Sequence, residues 1–248
     1  MNSEKGASAP FFCLHLFNRD FNGLFHPLVF IGNHPVSYYI SLFSDACVPI
    51  FAFVSGYGLY FSYTAYPDSY LKNNIERTKK LYIRYWIILL LFVVVLGNIL
   101  GKEGYPGSLD TFILNFSGVI PKYNGAWWFF TTYIFFVFTS KFWFKILNKI
   151  NPVIYIVFLG SIYVLSFYFR IYKTDLFENH ILQWLHTQAA LYFCTLFQFM
   201  LGAFTLKYNW HKEVCILFQN IKNINLISCS GIICLVIIHG FIPNLIIA

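Results

Sequence analysis

The residues best suited to chemistry stand out because the chain around them is so apolar. His15 lies near the end of a short apolar segment with the sequence FFCLHLFN. The ordinary pKa of imidazole lies slightly below neutral pH, so a neutral histidine there could act as a general base toward a hydroxyl group. A histidine that is only hydrogen-bonded at a helix end explains the same placement. Spacing alone favours that simpler interpretation.

A second set of residues is the basic run ERTKKLYIRYW. Arg77, Lys80 and Arg84 stand at positions i, i+3 and i+7 of this run, so on a continuous helix they share one face. Such a cluster can clamp phosphates, the arginine through a bidentate fork and the lysine as a point charge. The alternative is an ordinary topology signal that contacts anionic lipid headgroups. Taken alone, the run favours that alternative.

Other familiar chemistries are excluded by the motifs that the sequence lacks. It contains no GxSxG, GxxxxGK[ST], GxGxxG, HExxH or EF-hand pattern. Its six cysteines form no CxxC pair and have neither zinc nor disulfide spacing, so we interpret them as small apolar residues. We therefore expect no metal and no bound cofactor.

The candidate residues are carried by long apolar stretches that predict a polytopic membrane protein. Leu81 to Leu100 has 20 residues with one charge, and Thr187 to Leu206 has 20 with none. A helix needs about 20 such residues to cross about 30 Å of hydrocarbon. The chain is 58% hydrophobic and 11% charged, whereas soluble domains are roughly 25% charged. Further candidate spans are Tyr38 to Tyr63, Ala126 to about Leu147, Val153 to Phe169, and Leu226 to near Ala248.

The predicted fold class is an all-α, polytopic transmembrane bundle of about six to seven spans, forming one membrane-embedded domain over residues 1–248. The first segment, Ala7 to Phe17, covers only about 17 Å as a helix and cannot cross a bilayer alone. We interpret it as an incomplete first span. A cleaved signal peptide is disfavoured, because the region before it is not clearly basic and no small-residue cleavage site follows.

The distribution of lysine and arginine predicts the orientation of these spans. Segments 64–84, 141–149 and 207–225 carry net charges of +3, +3 and +2, and the connections between them are neutral. Positive loops face the cytoplasm, so the N-terminus is predicted to be cytoplasmic and the C-terminus external. The net charge of +7 therefore reflects topology and predicts no nucleic-acid partner.

Two local patterns predict how the helices pack. The segment Phe112 to Phe116 lies in a long external connection and is apolar enough to lie in the membrane interface as a short amphipathic piece. The run Ser55, Gly56, Tyr57 and Gly58 is a patch of small residues within a long helix. Close helix packing is its expected role.

Five segments, in this order, resemble the membrane-bound acyltransferase-3 family. They are KGASAPFFCLHLFN, DACVPIFAFVSGYGLYFSY, ERTKKLYIRYW, NGAWWFFTTYIFFVF and LFQFMLGAFTLKY, and they extend from Lys5 to about Tyr208. The blocks VPIFAFVSGYGL and WWF are the most specific. The resemblance implies an integral-membrane O-acyltransferase, most often an O-acetyltransferase. Such an enzyme moves an acyl group from cytoplasmic acyl-CoA to a sugar hydroxyl of a cell-envelope polysaccharide or exopolysaccharide.

The resemblance also implies roles for individual residues. His15 takes the position of the family's catalytic histidine, and Lys5, Arg77 and Lys80 take the positions of its basic residues, which are expected to bind the acyl donor. Lysine stands at position 80, where a second arginine is commoner. The family typically has about ten spans, so this chain is expected to be truncated at both ends.

The resemblance further implies the partners and location of the protein. Acetyl-CoA or another acyl-CoA is the expected co-substrate, and a glycan or lipid-linked sugar is the expected acceptor. Membrane lipid is the remaining partner, and the expected location is the bacterial cytoplasmic (inner) membrane.

Two other functions fit the sequence less well. One is a non-enzymatic polysaccharide transporter or flippase-like component. A charge-coupled transporter normally needs ionisable groups at mid-depth in several helices. Here the spans Tyr38 to Tyr63 and Thr187 to Leu206 and the core of Leu81 to Leu100 carry almost none beyond Asp45 and Arg84. The other is an inactive, truncated paralogue of the acyltransferase.

Overall fold

The computed structural model describes residues 30–31, 34–35, 47–101, 104–119, 123, 127–218 and 230–231. These residues are helical apart from their turns and one minimal antiparallel ladder, in which β1 (Phe30–Ile31) pairs with β2 (His34–Pro35). The predicted all-α class is confirmed for this part of the chain. The first predicted segment, Ala7 to Phe17, lies outside the described residues.

Seven helices follow one another in the described part of the chain. A π-helical segment, Leu90–Leu96, and a last turn, Gly97–Ile99, continue the second helix without a break. The helices are α1 (Cys47–Ala65), α2 (Tyr70–Leu89), α3 (Leu109–Phe116), α4 (Trp128–Lys149), α5 (Pro152–Tyr172), α6 (His180–Lys207) and α7 (Trp210–Phe218).

Local sequence explains where two of these helices begin. Ser108 precedes α3, and its Oγ accepts a hydrogen bond from the amide of Thr111 at 3.3 Å. Asn151 precedes α5, and its Oδ1 accepts from the amide of Val153 at 2.9 Å. Serine and asparagine are preferred at this position because they satisfy amides that have no partner within the helix. Pro152 then occupies the first turn, where its missing N–H costs nothing.

Three of the described helices are long and apolar enough to cross a membrane. They are the continuous helix Tyr70–Ile99, α5, and α6. Helices α1 and α4 have 19 and 22 residues and overlap two further predicted spans, Tyr38 to Tyr63 and Ala126 to about Leu147; residues 38–46 lie outside the described residues. Tyrosine and serine side chains in α1, and tyrosine, tryptophan, serine and lysine side chains in α4, lower the mean hydropathy of these two helices. Neither is among the three helices above. The prediction of six to seven spans is thus supported for three helices and stays a prediction for the rest.

The chain divides into two compact units, and α1 and α6 each continue from one unit into the other. One unit comprises residues 1–57 with 198–248, and the other comprises residues 58–197. The prediction of a single domain over residues 1–248 stays a prediction.

Direct contact between helix backbones holds the first unit together. A Cβ atom on Gly56 would lie 1.7 Å from the carbonyl oxygen of Phe199, and one on Gly202 would lie 1.9 Å from that of Phe53. Glycine is required where backbones approach this closely. The close packing predicted for the small-residue patch is therefore confirmed at Gly56. Gly58, in contrast, has no atom within 4 Å of the position that a Cβ would take.

In the second unit, side chains of other helices hold the short helix α3 and the turn after it by donating hydrogen bonds to their main-chain carbonyl oxygens. Five consecutive carbonyl oxygens, from residue 115 to residue 119, accept hydrogen bonds from side chains of α2, α4 and α6. In that order the donors are Tyr85 (2.6 Å), Trp86 (2.9 Å), Tyr82 (3.0 Å), Thr131 (2.6 Å) and Trp184 (3.3 Å). Carbonyls at a helix C-terminus lack the regular partners of the helix interior, so these side chains supply hydrogen bonds there; the carbonyl oxygen of Asn115 also accepts from the amide of Gly118. A helix over the predicted segment 112–116 is confirmed, and its place in the membrane interface stays a prediction.

Candidate functional site

The basic residues predicted to bind the acyl donor lie on an unbroken stretch of α2. The helix is continuous from Tyr70 through Arg84, so Arg77, Lys80 and Arg84 have the helical spacing that the sequence predicted. Arg77 is half-buried, whereas Lys80 and Arg84 are exposed. The three side chains therefore share one side of the helix but differ in how firmly the protein surrounds them.

Asn74 holds the guanidinium group of Arg77. Nη1 of Arg77 donates to Oδ1 of Asn74 at 3.2 Å, and Nδ2 of Asn74 donates to the carbonyl oxygen of Val137 on α4 at 3.1 Å. Asn74 is 1% exposed, so its amide is fixed on both sides. This contact uses one of the five N–H groups of the guanidinium. The remaining donors are therefore available to a ligand.

A second polar contact joins α2 to α4 beside this clamp. The hydroxyl oxygens of Tyr70 and Ser140 lie 2.5 Å apart, and Ser140 donates to the carbonyl oxygen of Val137 at 2.8 Å. Both side chains are fully buried. The carbonyl oxygen of Val137 thus accepts hydrogen bonds from both Asn74 and Ser140. The Arg77 clamp is built on a rigid, fully paired network.

The positive charge of Arg77 has no carboxylate partner among the described residues. The ion pair found in this part of the chain joins Lys79 to Glu76, with 3.1 Å between Nζ and Oε1, and it is exposed. Arg77 interacts electrostatically with the phenol groups of Tyr70 and Tyr133, which are neutral at physiological pH. A half-buried guanidinium with neutral neighbours is suited to binding an anion such as phosphate.

The structure does not connect Lys80 to this network. Its side chain is exposed one helical turn beyond Arg77, and the described residues offer its ammonium group no hydrogen bond or ion pair. Lys80 is therefore linked to Arg77 only by its position one turn further along the same helix. Lys5 and His15 lie outside the described residues, so their predicted roles stay predictions.

Asn74, Tyr70 and Ser140 were not predicted from the sequence. The one local signal was the position of Asn74 three residues before Arg77, a spacing at which helical side chains meet. The anchors for Asn74 and Tyr70 lie 63 and 70 positions away along the chain. No local pattern contains that pairing.

Comparison with known proteins identifies one family. The family model for the acyltransferase domain of acyltransferase family 3 matches residues 12–245 and so includes α1 to α7. Searches of the curated proteins and of the solved structures find no match.

Proposed function

Because the chain belongs to the acyltransferase-3 family, we propose that it is an integral-membrane O-acyltransferase acting on an envelope glycan. Its donor is acetyl-CoA or another acyl-CoA, and its acceptor is a sugar hydroxyl of a cell-envelope polysaccharide or exopolysaccharide. Membership of the family makes the chain a membrane acyltransferase in general terms. The donor, the acceptor and the residue roles below are the proposal.

Arg77 and Lys80, together with Lys5, bind the phosphates of the donor. The observation that carries this assignment is the clamp on Arg77, whose guanidinium is held by Asn74 and has no carboxylate partner among the described residues. A preorganised arginine loses less conformational freedom when it binds a phosphate than a free one does. Lys80, one turn away and exposed, adds a second positive charge.

His15 removes the proton from the acceptor hydroxyl. The hydroxyl oxygen attacks the thioester carbonyl carbon, a C–O bond forms, and the C–S bond breaks. The proton passes to His15 and then to the departing thiolate of coenzyme A, so the histidine is regenerated neutral. A positioned general base of this kind contributes about 10²- to 10⁴-fold in rate.

The proposed location is the bacterial inner membrane, with the N-terminus in the cytoplasm. The basic segment that contains Arg77 and Lys80 then faces the compartment that supplies acyl-CoA. The neutral connections face outward, where a glycan or lipid-linked sugar approaches. Nucleic acid has no role in this scheme.

The donor site is tested with the whole chain reconstituted in lipid vesicles, with transfer of labelled acetyl groups from acetyl-CoA to an envelope glycan as the assay. Arg77→Gln is expected to raise the KM for acetyl-CoA by about 10- to 150-fold, because a charge-assisted hydrogen bond contributes about 1.5–3 kcal/mol. Lys72→Gln is the matched control, since Lys72 is an exposed cation on the same helix. Equal donor KM values for the Arg77 variant and the wild type would show that Arg77 does not bind the donor.

The general base is tested separately in cells that carry each variant. His15→Ala should abolish acylation of the glycan, measured by mass spectrometry, while insertion into the membrane is retained, because the change removes a base and not a span. Normal acylation by this variant would reject His15 as the base. A histidine hydrogen-bonded at a helix end would then explain the sequence.

A further inference from the structure

A second histidine lies within α6, and neither of its ring nitrogens has a hydrogen-bond partner. His186 is the seventh residue of α6, about 9 Å along the helix from its first residue, His180. Its Nδ1 and Nε2 are both buried, and neither makes a hydrogen bond. A neutral imidazole carries one donor and one acceptor. Leaving a buried donor or acceptor unpaired costs about 1–3 kcal/mol, so the position of His186 lowers the stability of the protein unless a ligand pairs with its nitrogens.

Two phenylalanine rings flank the imidazole. Phe169 on α5 and Phe177 in the connection after it make edge-on contacts with His186, with ring centroids 5.9 Å and 6.0 Å away. The cage formed by His186, Phe169 and Phe177 therefore combines apolar walls with two polar atoms. Binding sites for small molecules commonly have this composition.

The side chain of Gln183 on α6 holds the connection that carries Phe177. Oε1 of Gln183 accepts hydrogen bonds from the amides of Leu176 and Phe177, each at 3.1 Å. Nε2 of Gln183 donates to the carbonyl oxygen of Thr174. Phe177 itself is 43% exposed. Phe177 is thus the more exposed of the two flanking rings, and we expect a ligand to reach the buried ring nitrogens by displacing it.

The chemistry of the cage limits what can bind there. A metal ion is disfavoured because the described residues contain no group of three histidine, cysteine, aspartate or glutamate side chains that could hold one. A phosphate or carboxylate only accepts hydrogen bonds, so it would leave the acceptor nitrogen of a neutral imidazole unpaired. A hydroxyl group both donates and accepts. Two separate hydroxyl groups of a glycan, one at each nitrogen, can therefore pair with the imidazole, while the C–H surface of a sugar packs against the phenylalanine rings.

We propose that the cage of His186, Phe169 and Phe177 binds the sugar acceptor through its hydroxyl groups. This inference rests on the proposed acyltransferase function and specifies where its acceptor binds. The charge pattern supports it, because the connection before α6 is predicted to face outward, on the side from which the glycan approaches. In this assignment His186 is a binding residue and His15 remains the proposed base.

The test measures binding of a purified fragment of the envelope polysaccharide to the whole chain in lipid vesicles, independently of acyl transfer. His186→Phe keeps the aromatic volume and removes both polar atoms, so the Kd for the fragment should rise about 10- to 100-fold. His186→Gln keeps one donor and one acceptor and should restore part of the affinity. His180→Phe is the control, because His180 is an exposed histidine on the same helix.

Binding and transfer then separate the two proposals. A Kd unchanged by His186→Phe, or a wild-type protein that does not bind the fragment, would overturn the acceptor site. Whether the wild type transfers acetyl groups to the glycan tests the proposed acyltransferase function independently of the binding site. If the sugar binds and the Kd depends on His186 but no acyl group is transferred, the site stands and the acyltransferase proposal fails.

Discussion

The close approach of two helix backbones at Gly56 makes one substitution informative. Gly56→Ala places a Cβ atom 1.7 Å from the carbonyl oxygen of Phe199. Cβ atoms essentially never approach another heavy atom within 3.0 Å, so the two atoms must separate by at least 1.3 Å, the difference between these distances. The obstructing atom belongs to the backbone of α6. A side-chain rotation cannot relieve the clash, and the two helices must move apart.

The energetic consequence follows from two opposing effects. Overpacking of this kind costs about 1–3 kcal/mol, and occasionally more. Alanine in place of glycine within a helix gains about 1 kcal/mol. Because the displaced atom lies on a helix backbone, we expect the upper end of the cost and a net loss of about 2 kcal/mol or more. Gly202→Ala should behave in the same way, since its Cβ would lie 1.9 Å from the carbonyl oxygen of Phe53.

Gly58→Ala is the matched control, two residues further along the same helix. No atom lies within 4 Å of the position that its Cβ would take, so only the gain in helix propensity remains. We expect this variant to be as stable as the wild type, or more stable by up to about 1 kcal/mol.

The measurement is the unfolding of each purified variant in mild detergent, followed by circular dichroism against temperature and against denaturant. Gly56→Ala should unfold earlier than the wild type, and Gly58→Ala should not. Equal stability of the two variants would show that the helix backbones are not in contact at Gly56. The description of the first unit would then be wrong.

Three further predictions concern the second unit and the topology. Asn74→Asp places a carboxylate beside Arg77 and removes the amide donor to α4, so the KM for acetyl-CoA should rise about 10-fold or more in the transfer assay, and an unchanged value would contradict the clamp. Tyr85→Phe removes the hydrogen bond from the buried Tyr85 hydroxyl to the carbonyl oxygen of Asn115, which still accepts from the amide of Gly118, so it should destabilise the protein by about 0.5–1.5 kcal/mol in denaturant unfolding. Tyr168→Phe is its control, because Tyr168 is exposed and losing its hydroxyl should leave the stability of the protein unchanged. Cysteines introduced singly between Thr64 and Arg84 should react with impermeant reagents only from the cytoplasmic side, and labelling in intact cells would refute the orientation.

The sequence by itself determined the features that depend on one segment at a time. The apolar stretch Leu81 to Leu100, which forms most of the second part of the helix Tyr70–Ile99, was recognisable from its length alone, because a helix satisfies its own backbone hydrogen bonds and needs no partner to cross a membrane. The helical spacing of Arg77 and Lys80 was equally local. The order of short motifs was sufficient to indicate the family.

Only the tertiary structure decided which of two similar residues is buried or constrained. Gly56 and Gly58 lie two positions apart on one helix, yet only Gly56 faces the backbone of α6. His180 and His186 lie on one helix, yet the imidazole nitrogens of His186 alone are buried without partners. Asn74 orients Arg77 because the carbonyl of Val137, 63 positions away, holds its amide. These distinctions depend on atoms that are distant in the chain and close in space, and such contacts leave no periodic pattern in the sequence that could reveal them.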